Sequence, residues 1–305
     1  MTWSATLPLR GAGGERVDLW RTIMSHGVAD LPPNRIDEKR RVLETTVALP
    51  RGRPQTLVVR ECGSGKASVT GKSGKRSEAT LDGVRHILRI DEDLSEFYAL
   101  AAEDPDLDWV TQGAGRLMRS QTVYEDVVKT ICTTNTAWSG TVRMVNAIVQ
   151  HLGEPAAGAA PDSPFGHAFP SPAAMAAAPE SFYRDVARSG YRGAYLRSLA
   201  ESVASGEIDL EELATADPDD LHDDEVAARL LSLPGVGPYA AAHIMMLIGR
   251  YSRLVLDSWT RPTYASLNGR KAKDTAIERR FRRYGRYSGL AFWLFLTRDW
   301  VAEPV

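Results

Sequence analysis

Only two cysteines occur in this 305-residue chain, Cys62 and Cys132. Two thiols cannot build a disulfide framework, a four-cysteine zinc site or a four-cysteine iron–sulfur cluster. Long apolar runs are missing too: none reaches the roughly 18–20 residues that span a bilayer. The first residues, MTWSATLPLRGAGGERVDLW, lack a basic start followed by an apolar stretch, so no signal peptide is expected. No internal repeat with a period of about 20–50 residues is visible. Surplus charge is almost absent, at −2 overall, which argues against an indiscriminate nucleic-acid binder. These absences leave the expectation of a cytoplasmic protein of ordinary composition, and its length suits two lobes better than one core.

The charge that is present is unevenly placed. Glu201 to Glu225 holds eleven acidic residues and no Lys or Arg. Arg250 to Arg286 holds eleven Lys/Arg against Asp257, Asp274 and Glu278. A strongly basic segment thus hides inside a near-neutral total. Such an asymmetry suits a protein with one phosphate-facing surface, although RRFRRYGR also reads as the solvated face of a helix.

Residues 1–90 read as β-rich. VDLWRTIM, VLETTVAL, TLVVREC and KASVTG carry β-branched or aromatic residues separated by polar or Gly/Pro stretches, which predicts an antiparallel sheet with hairpins. GSGK at 63–66 is read as a hairpin turn. No glycine stands five residues before Gly65, and Ala67 occupies the place where a phosphate loop has Ser or Thr. From Asp91 to residue 305 the pattern is helical, with DLSEFYALAAED first. Residues 122–152 hold two helical patterns around the polar TTNTAWSG, and three helices are expected from FPSPAAMAAAPE to SLAESVASG. The fold class is therefore mainly α with an N-terminal antiparallel sheet (α+β).

The most informative stretch is LPGVGPYAAAHIMMLIG, Leu233 to Gly249. Its glycines and prolines make a tight turn, and the apolar run after them reads as a helix that starts abruptly. Each glycine adds flexibility that folding must remove. One reason to accept that is a short connection between core helices. The other is chemical: a turn without side chains lets a phosphate approach backbone N–H groups at a helix N-terminus.

With this hairpin in place, the sequence resembles the helix-hairpin-helix DNA glycosylases, in the branch that contains 8-oxoguanine DNA glycosylase and 3-methyladenine DNA glycosylase II. LPGVG resembles the family hairpin, with the helix-hairpin-helix at about 225–249. Asp257, in LVLDSW, follows Tyr239 by 18 residues, as the family's aspartate does. ICTTNTAW, FPSP with SGYRGAYL, and YSGLAFWLFLTRDW match further family blocks in order. The likeness covers roughly residues 85–300 well and the N-terminal sheet loosely. It implies a bilobal architecture and a monomer without a cofactor. The implied activity is release of a damaged or modified base from duplex DNA, on the nucleoid and away from membranes.

Breaking an N-glycosidic bond builds positive charge on the sugar, so a carboxylate shielded from bulk water is what the chemistry needs. By position alone, Asp257 reads rather as a helix N-cap; the resemblance, through its spacing from the hairpin, gives it the catalytic role. Lyase members of the family carry a Schiff-base lysine where this chain has Tyr239, which implies a monofunctional enzyme that uses water. Tyr239 itself reads either as a stacking wall of the base pocket or as a core aromatic. His243 shares its helix face and is either a base contact or a satisfied interior histidine. The position that reads 8-oxoguanine carries Phe292, while Phe295 and Leu296 stand where alkylpurine enzymes have pocket aromatics. An aromatic, weakly polar pocket suits an alkylated purine. Phe292 and Phe295 also read as core, and Trp293 is expected to be core. Asn135 matches the residue that fills the gap left by the flipped base, and it also reads as a turn Asn. Gly235, Val236 and Gly237 would offer amides to a phosphate, with a cation held by hairpin carbonyls. Arg261, Arg279, Arg280, Arg282 and Arg283 would add phosphate contacts that position without specifying. The same fold could also serve a non-catalytic module that binds bent or damaged DNA, or a glycosylase for 8-oxoguanine or another modified base.

Overall fold

The computed structural model describes residues 2–301 except 64, 73 and 75. Five strands form one antiparallel sheet: β1 (Trp3–Pro8), β2 (Asn34–Asp37), β3 (Val42–Val47), β4 (Gln55–Glu61) and β5 (Lys66–Gly71), in the order β1-β5-β4-β3-β2. The register pairs Val59 with Leu43 on one side and with Val69 on the other, so the buried β-branched and leucine side chains share one face. The chain between β4 and β5 closes with the Lys66 N–H donating to the Gly63 carbonyl at 3.1 Å, and Gly65 takes φ +73°. Ser64 of the GSGK turn lies outside the described residues.

VDLWRTIM is not a strand. Its centre forms helix α1 (Leu19–Ile23), because Asp18 Oδ1 accepts the Arg21 N–H at 2.9 Å and caps the first turn. Leu19 and Ile23, four residues apart, then bury one helical face. A second helix, α2 (Glu78–Ile87), places Leu81, Val84 and Ile87 on the sheet's buried face beside Leu57 and Val69.

The rest of the chain is helical: α3 (Ser95–Ala102), α4 (Val123–Thr133), α5 (Trp138–Leu152), α6 (Pro172–Ala177), α7 (Arg192–Ala204), α8 (Glu212–Thr215), α9 (Asp223–Leu231), α10 (Pro238–Leu247), α11 (Thr260–Leu267), α12 (Asp274–Phe281) and α13 (Ser288–Thr297). None of these helices is long and apolar enough to cross a membrane. They build two further cores. One gathers α4, α5, α7, α9 and part of α10; the other gathers α3, α11, α12, α13 and the rest of α10. Helix α10 is apolar all round, as a helix buried on every side must be. Ala240, Ile244 and Met245 enter the first core, and Ala242 and Met246 enter the second. The helix therefore lies between the two lobes, and residues at its start face the junction.

Arg89 ties this helix down from behind. Fully buried, it donates through Nε to the Leu117 carbonyl at 2.8 Å, through its guanidinium to the Leu247 carbonyl, and pairs with Glu92. A cation at the last carbonyls of a helix complements its dipole.

Candidate active site

Local sequence explains the hairpin. Gly235 adopts φ +83°, which glycine enters freely, and a Cβ there would stand 2.8 Å from the Tyr195 ring. Gly237 is the N-cap of α10 and faces open space, Pro238 starts the helix, and Val236 is buried beneath. No acceptor meets the Gly235 and Gly237 amides among the described residues, so both are available to an anion. The Leu233 carbonyl already accepts the Val236 N–H at 3.1 Å, which leaves it one lone pair for any cation.

A cavity of about 500 Å³ opens at the lobe junction beside this helix. Tyr239 and His243 of α10 line it, together with Asp257 and Trp259 just before α11 and Trp138 at the start of α5. Trp293 of α13, Trp300, and His26 to Val28 of the sheet unit also line it, with Thr133, Thr136, Thr141 and Val255. Asp257 caps α11. Its Oδ1 accepts the N–H groups of Trp259 at 2.8 Å and Thr260 at 2.6 Å, and its own N–H donates to Thr260 Oγ1 at 2.8 Å. Its Oδ2 has no hydrogen-bond partner among the described residues. Both sequence readings of Asp257 are thus compatible in space: the cap fixes one oxygen, and the residue borders the cavity.

Tyr239 stacks near His243, with ring centroids 5.9 Å apart and planes inclined by 33°. Burial raises the Tyr239 pKa, so the phenol keeps its proton. Burial lowers the His243 pKa to about 4, against the pull of the Asp257 carboxylate. His26 is lowered further, to about 3, again by burial, although a bond to the Met118 carbonyl opposes it. Both imidazoles are neutral at pH 7.

The structure corrects the expected aromatic wall. Phe292, Phe295 and Leu296 are buried in the second core, where Phe292 meets Phe281 at 5.3 Å and Phe295 meets Tyr264 at 5.8 Å. None of the three lines the cavity. Trp293, expected in the core, is buried there and also lines the cavity, tilted against Trp259 at 5.6 Å and edge-on to Trp300 at 5.7 Å. Rotation by one residue on a helix moves a side chain about 100°, and α13 buries every position from Ser288 to Thr297, so its sequence contains no period to set the face. His26, Trp138, Trp259 and Trp300 are absent from the sequence reading. A usable signal was the tryptophan beside each expected site residue, in TNTAW and LDSW.

Asn135 is exposed at the turn between α4 and α5, in left-handed conformation at φ +45°. Its amide donates to the Tyr191 hydroxyl at 3.3 Å. Tyr191 is 54% exposed, unusual for so large an aromatic, and Arg192 stacks on it at 4.6 Å while donating to the Thr134 carbonyl at 3.0 Å. Asn135 and Tyr191 therefore form one projecting pair, and Tyr191 escaped the sequence reading.

The basic segment is less bare than it reads. Arg261 forms a two-pronged pair with Asp274, both contacts at 2.9 Å. Arg280 pairs with Asp106 at 2.5 Å and lies 4.2 Å over the Phe295 ring, and Arg283 pairs with Asp104. Arg279 and Arg282 are exposed and have no ion pair among the described residues. Exposed pairs such as Arg261–Asp274 contribute little to stability and can open toward a phosphate, whereas Arg280 is tied into packing.

The buried histidines set a pH dependence. Burial also lowers His86 to about 4. Each of His26, His86 and His243 titrates near 6.5 when unfolded. Their folded pKa values lie below that, so the stability they contribute is complete above about pH 6.5 and is lost as pH falls toward 4. Asp126 runs the other way: burial raises it from 3.8 to about 6, and its contribution fades as pH rises through that window. Burial raises Asp30 and Glu211 in the same sense as Asp126, while Asp104 and Asp274 are lowered and side with the histidines; the three large histidine shifts dominate, so the Tm should drop by several degrees between pH 6.5 and 4.5. Calorimetry across that range is the check, and a flat or rising Tm would refute the account.

No protein-family model matches the sequence, and no curated protein matches it. The fold is that of the bilobal helix-hairpin-helix DNA glycosylases. The chain is similar to the 3-methyladenine DNA-glycosylase from Archaeoglobus fulgidus, at 20% identity and TM-score 0.73 over 98% of this chain and 100% of that one. It is also similar to the 8-oxoguanine glycosylase/lyase from Clostridium acetobutylicum in its apo form, at 20% identity and TM-score 0.72 over 96% and 95%. The structure of MBOgg1 with a low-affinity DNA ligand resembles it at 20% identity and TM-score 0.73 over 97% and 96%. At these identities the likeness establishes the fold.

Proposed function

We propose that this chain is a monofunctional DNA glycosylase that flips a damaged base, most suitably an alkylated purine, out of duplex DNA and hydrolyses its N-glycosidic bond. The observation that carries the reading is Asp257. One of its oxygens is held by two backbone N–H groups and the other is unpartnered, at a cavity walled by tryptophans. The similar folds belong to proteins named as a 3-methyladenine glycosylase and an 8-oxoguanine glycosylase/lyase, which supports base excision.

In this mechanism the base leaves the stack and enters the cavity between aromatic faces. Asn135 and Tyr191 occupy the vacated space. The Asp257 carboxylate stabilises the positive charge that develops on the sugar and orients a water that completes hydrolysis. Tyr239 has no nucleophilic amine, so no imine forms and the product is an abasic site. The Gly235 and Gly237 amides hold a phosphate at the start of α10. Arg279, Arg282 and an opened Arg261 add positive charge; Arg280, bound into the core, contributes less. A cationic alkylated base gains attraction from the ring faces of Trp259, Trp293 and Tyr239 and is already an activated leaving group. A DNA substrate fits a cytoplasmic, nucleoid-associated protein.

The test is incubation with duplexes that each carry one lesion, scored before and after alkali. Release of 7-methylguanine or 3-methyladenine, with strand breaks only after alkali and no adduct trapped by borohydride, is expected. A trapped adduct would overturn the monofunctional mechanism. Release of 8-oxoguanine with no alkylpurine release would overturn the substrate class.

A further inference from the structure

The basic segment at 250–286 is largely neutralised at home: Arg253, Arg261, Arg280, Arg283 and Arg286 each pair with a carboxylate. A second basic stretch is not. Residues 34–76 hold eleven Lys/Arg against four Asp/Glu, in a chain whose total is −2. Among the described residues of that stretch, Lys72, bound to Glu44, is the one cation with a salt bridge, and every described Lys and Arg there is exposed.

The pleat gathers part of this charge on one face of the sheet. Along β1 and β5, buried residues alternate with more accessible ones, and the buried set packs with α1 and α2. The accessible set forms the outer face. Its register runs from Arg35 through Glu44, Val58 and Thr70 to Ser4. Beside that row, Arg60 stands opposite Ser68 and Lys66 opposite Pro8. The outer face thus presents Arg35, Arg60, Lys66 and Lys72 with serine and threonine hydroxyls between them. Its carboxylates are engaged: Glu44 holds Lys72, and Asp37 Oδ1 accepts the Arg40 N–H at 3.0 Å.

Charges on edge strands deter strand pairing, but Arg60 and Lys66 lie on β4 and β5, inside the sheet. Lys, Arg, Ser and Thr are the side chains that contact phosphate oxygens. The face has no aromatic side chain to stack the bases of a single strand or to anchor in a lipid interface. Helix α1 leads to His26 at the cavity and α2 to Arg89 behind α10, so the outer face looks away from the lobes.

We propose that the outer face of the sheet is a second, sequence-independent binding surface for duplex DNA, which holds a segment other than the one at the cavity. The choice of partner rests on the glycosylase reading above; the surface does not.

The test preloads the protein with an unlabelled abasic duplex and titrates a labelled, undamaged duplex against it over a range of salt. Wild type should bind the second duplex. Arg35→Gln/Arg60→Gln/Lys66→Gln should weaken that binding at least roughly 10-fold at low salt and flatten its log–log salt slope by about 2–3, near 0.9 per lost phosphate contact. Affinity for the abasic duplex should stay within a few-fold. Failure of the preloaded wild type to take up a second duplex, or equal uptake by the variant, would overturn the proposal. Sheet-dependent binding of phosphatidylserine vesicles without sheet-dependent binding of DNA would overturn the choice of occupant. The same titration without the abasic duplex reads the sheet by itself, so the glycosylase reading can fail while the surface stands. Acetylation of Lys66 in the unaltered, preloaded protein is an independent measurement. The second duplex should slow it, and an unchanged rate counts against the proposal.

Discussion

Asp257→Asn should abolish most turnover while leaving the fold and DNA binding intact. The asparagine keeps a carbonyl oxygen at the position of Oδ1, so the N–H groups of Trp259 and Thr260 remain capped. What disappears is the negative charge opposite the sugar. Electrostatic stabilisation of that kind is commonly worth on the order of 3–4 kcal/mol, or roughly 10²–10³-fold in rate. Single-turnover excision on the preferred lesion, read beside the binding constant for an abasic duplex, separates the two effects. Asp257→Ala adds a loss of about 1 kcal/mol from the missing cap. Near-normal excision by the asparagine variant would reduce Asp257 to a structural cap and remove the proposed mechanism.

Phe292→Ala should cost about 3–5 kcal/mol of folding stability, the range for deleting a large aromatic from a packed core. The ring is fully buried among Phe281, Tyr264 and their neighbours and touches no part of the cavity. Urea unfolding measures the loss, seen as a lower midpoint at similar slope. The lesion preference of the protein that remains folded should be unchanged. A shift in preference without a loss of stability would return Phe292 to the site.

Parts of this arrangement were legible because their cause is local. The hairpin and the start of α10 follow from Gly235, Gly237 and Pro238, which act through their own backbone. The two helices around Asn135 follow from apolar spacing. The failures have mixed causes. Asp18 caps α1 from three residues away, a local signal that the β-rich composition of the stretch masked. Helix α13 is apolar on every side, so its composition could not tell Trp293 from Phe292. The basic segment read as a patch because Asp104 and Asp106, which neutralise Arg283 and Arg280, stand far away in the chain. His26 was silent for the same reason: its segment is fixed by Met118 and Trp293, far away in the chain.

The position of α10 determines who bends. One helix contributes to both helical cores, and Arg89 locks its far end. Spreading the lobes would tear apolar contacts from both sides at once, so hinge closure around a substrate is costly for this protein. Under the proposed function, distortion must then be borne by the duplex. Its cost varies with the neighbouring bases, since pyrimidine–purine steps kink easily and A-tracts resist. A lesion placed within a flexible step should accordingly be released faster than the same lesion in an A-tract, in a competition where no residue reads the flanking sequence. Equal rates in the two contexts would mean that the protein yields instead.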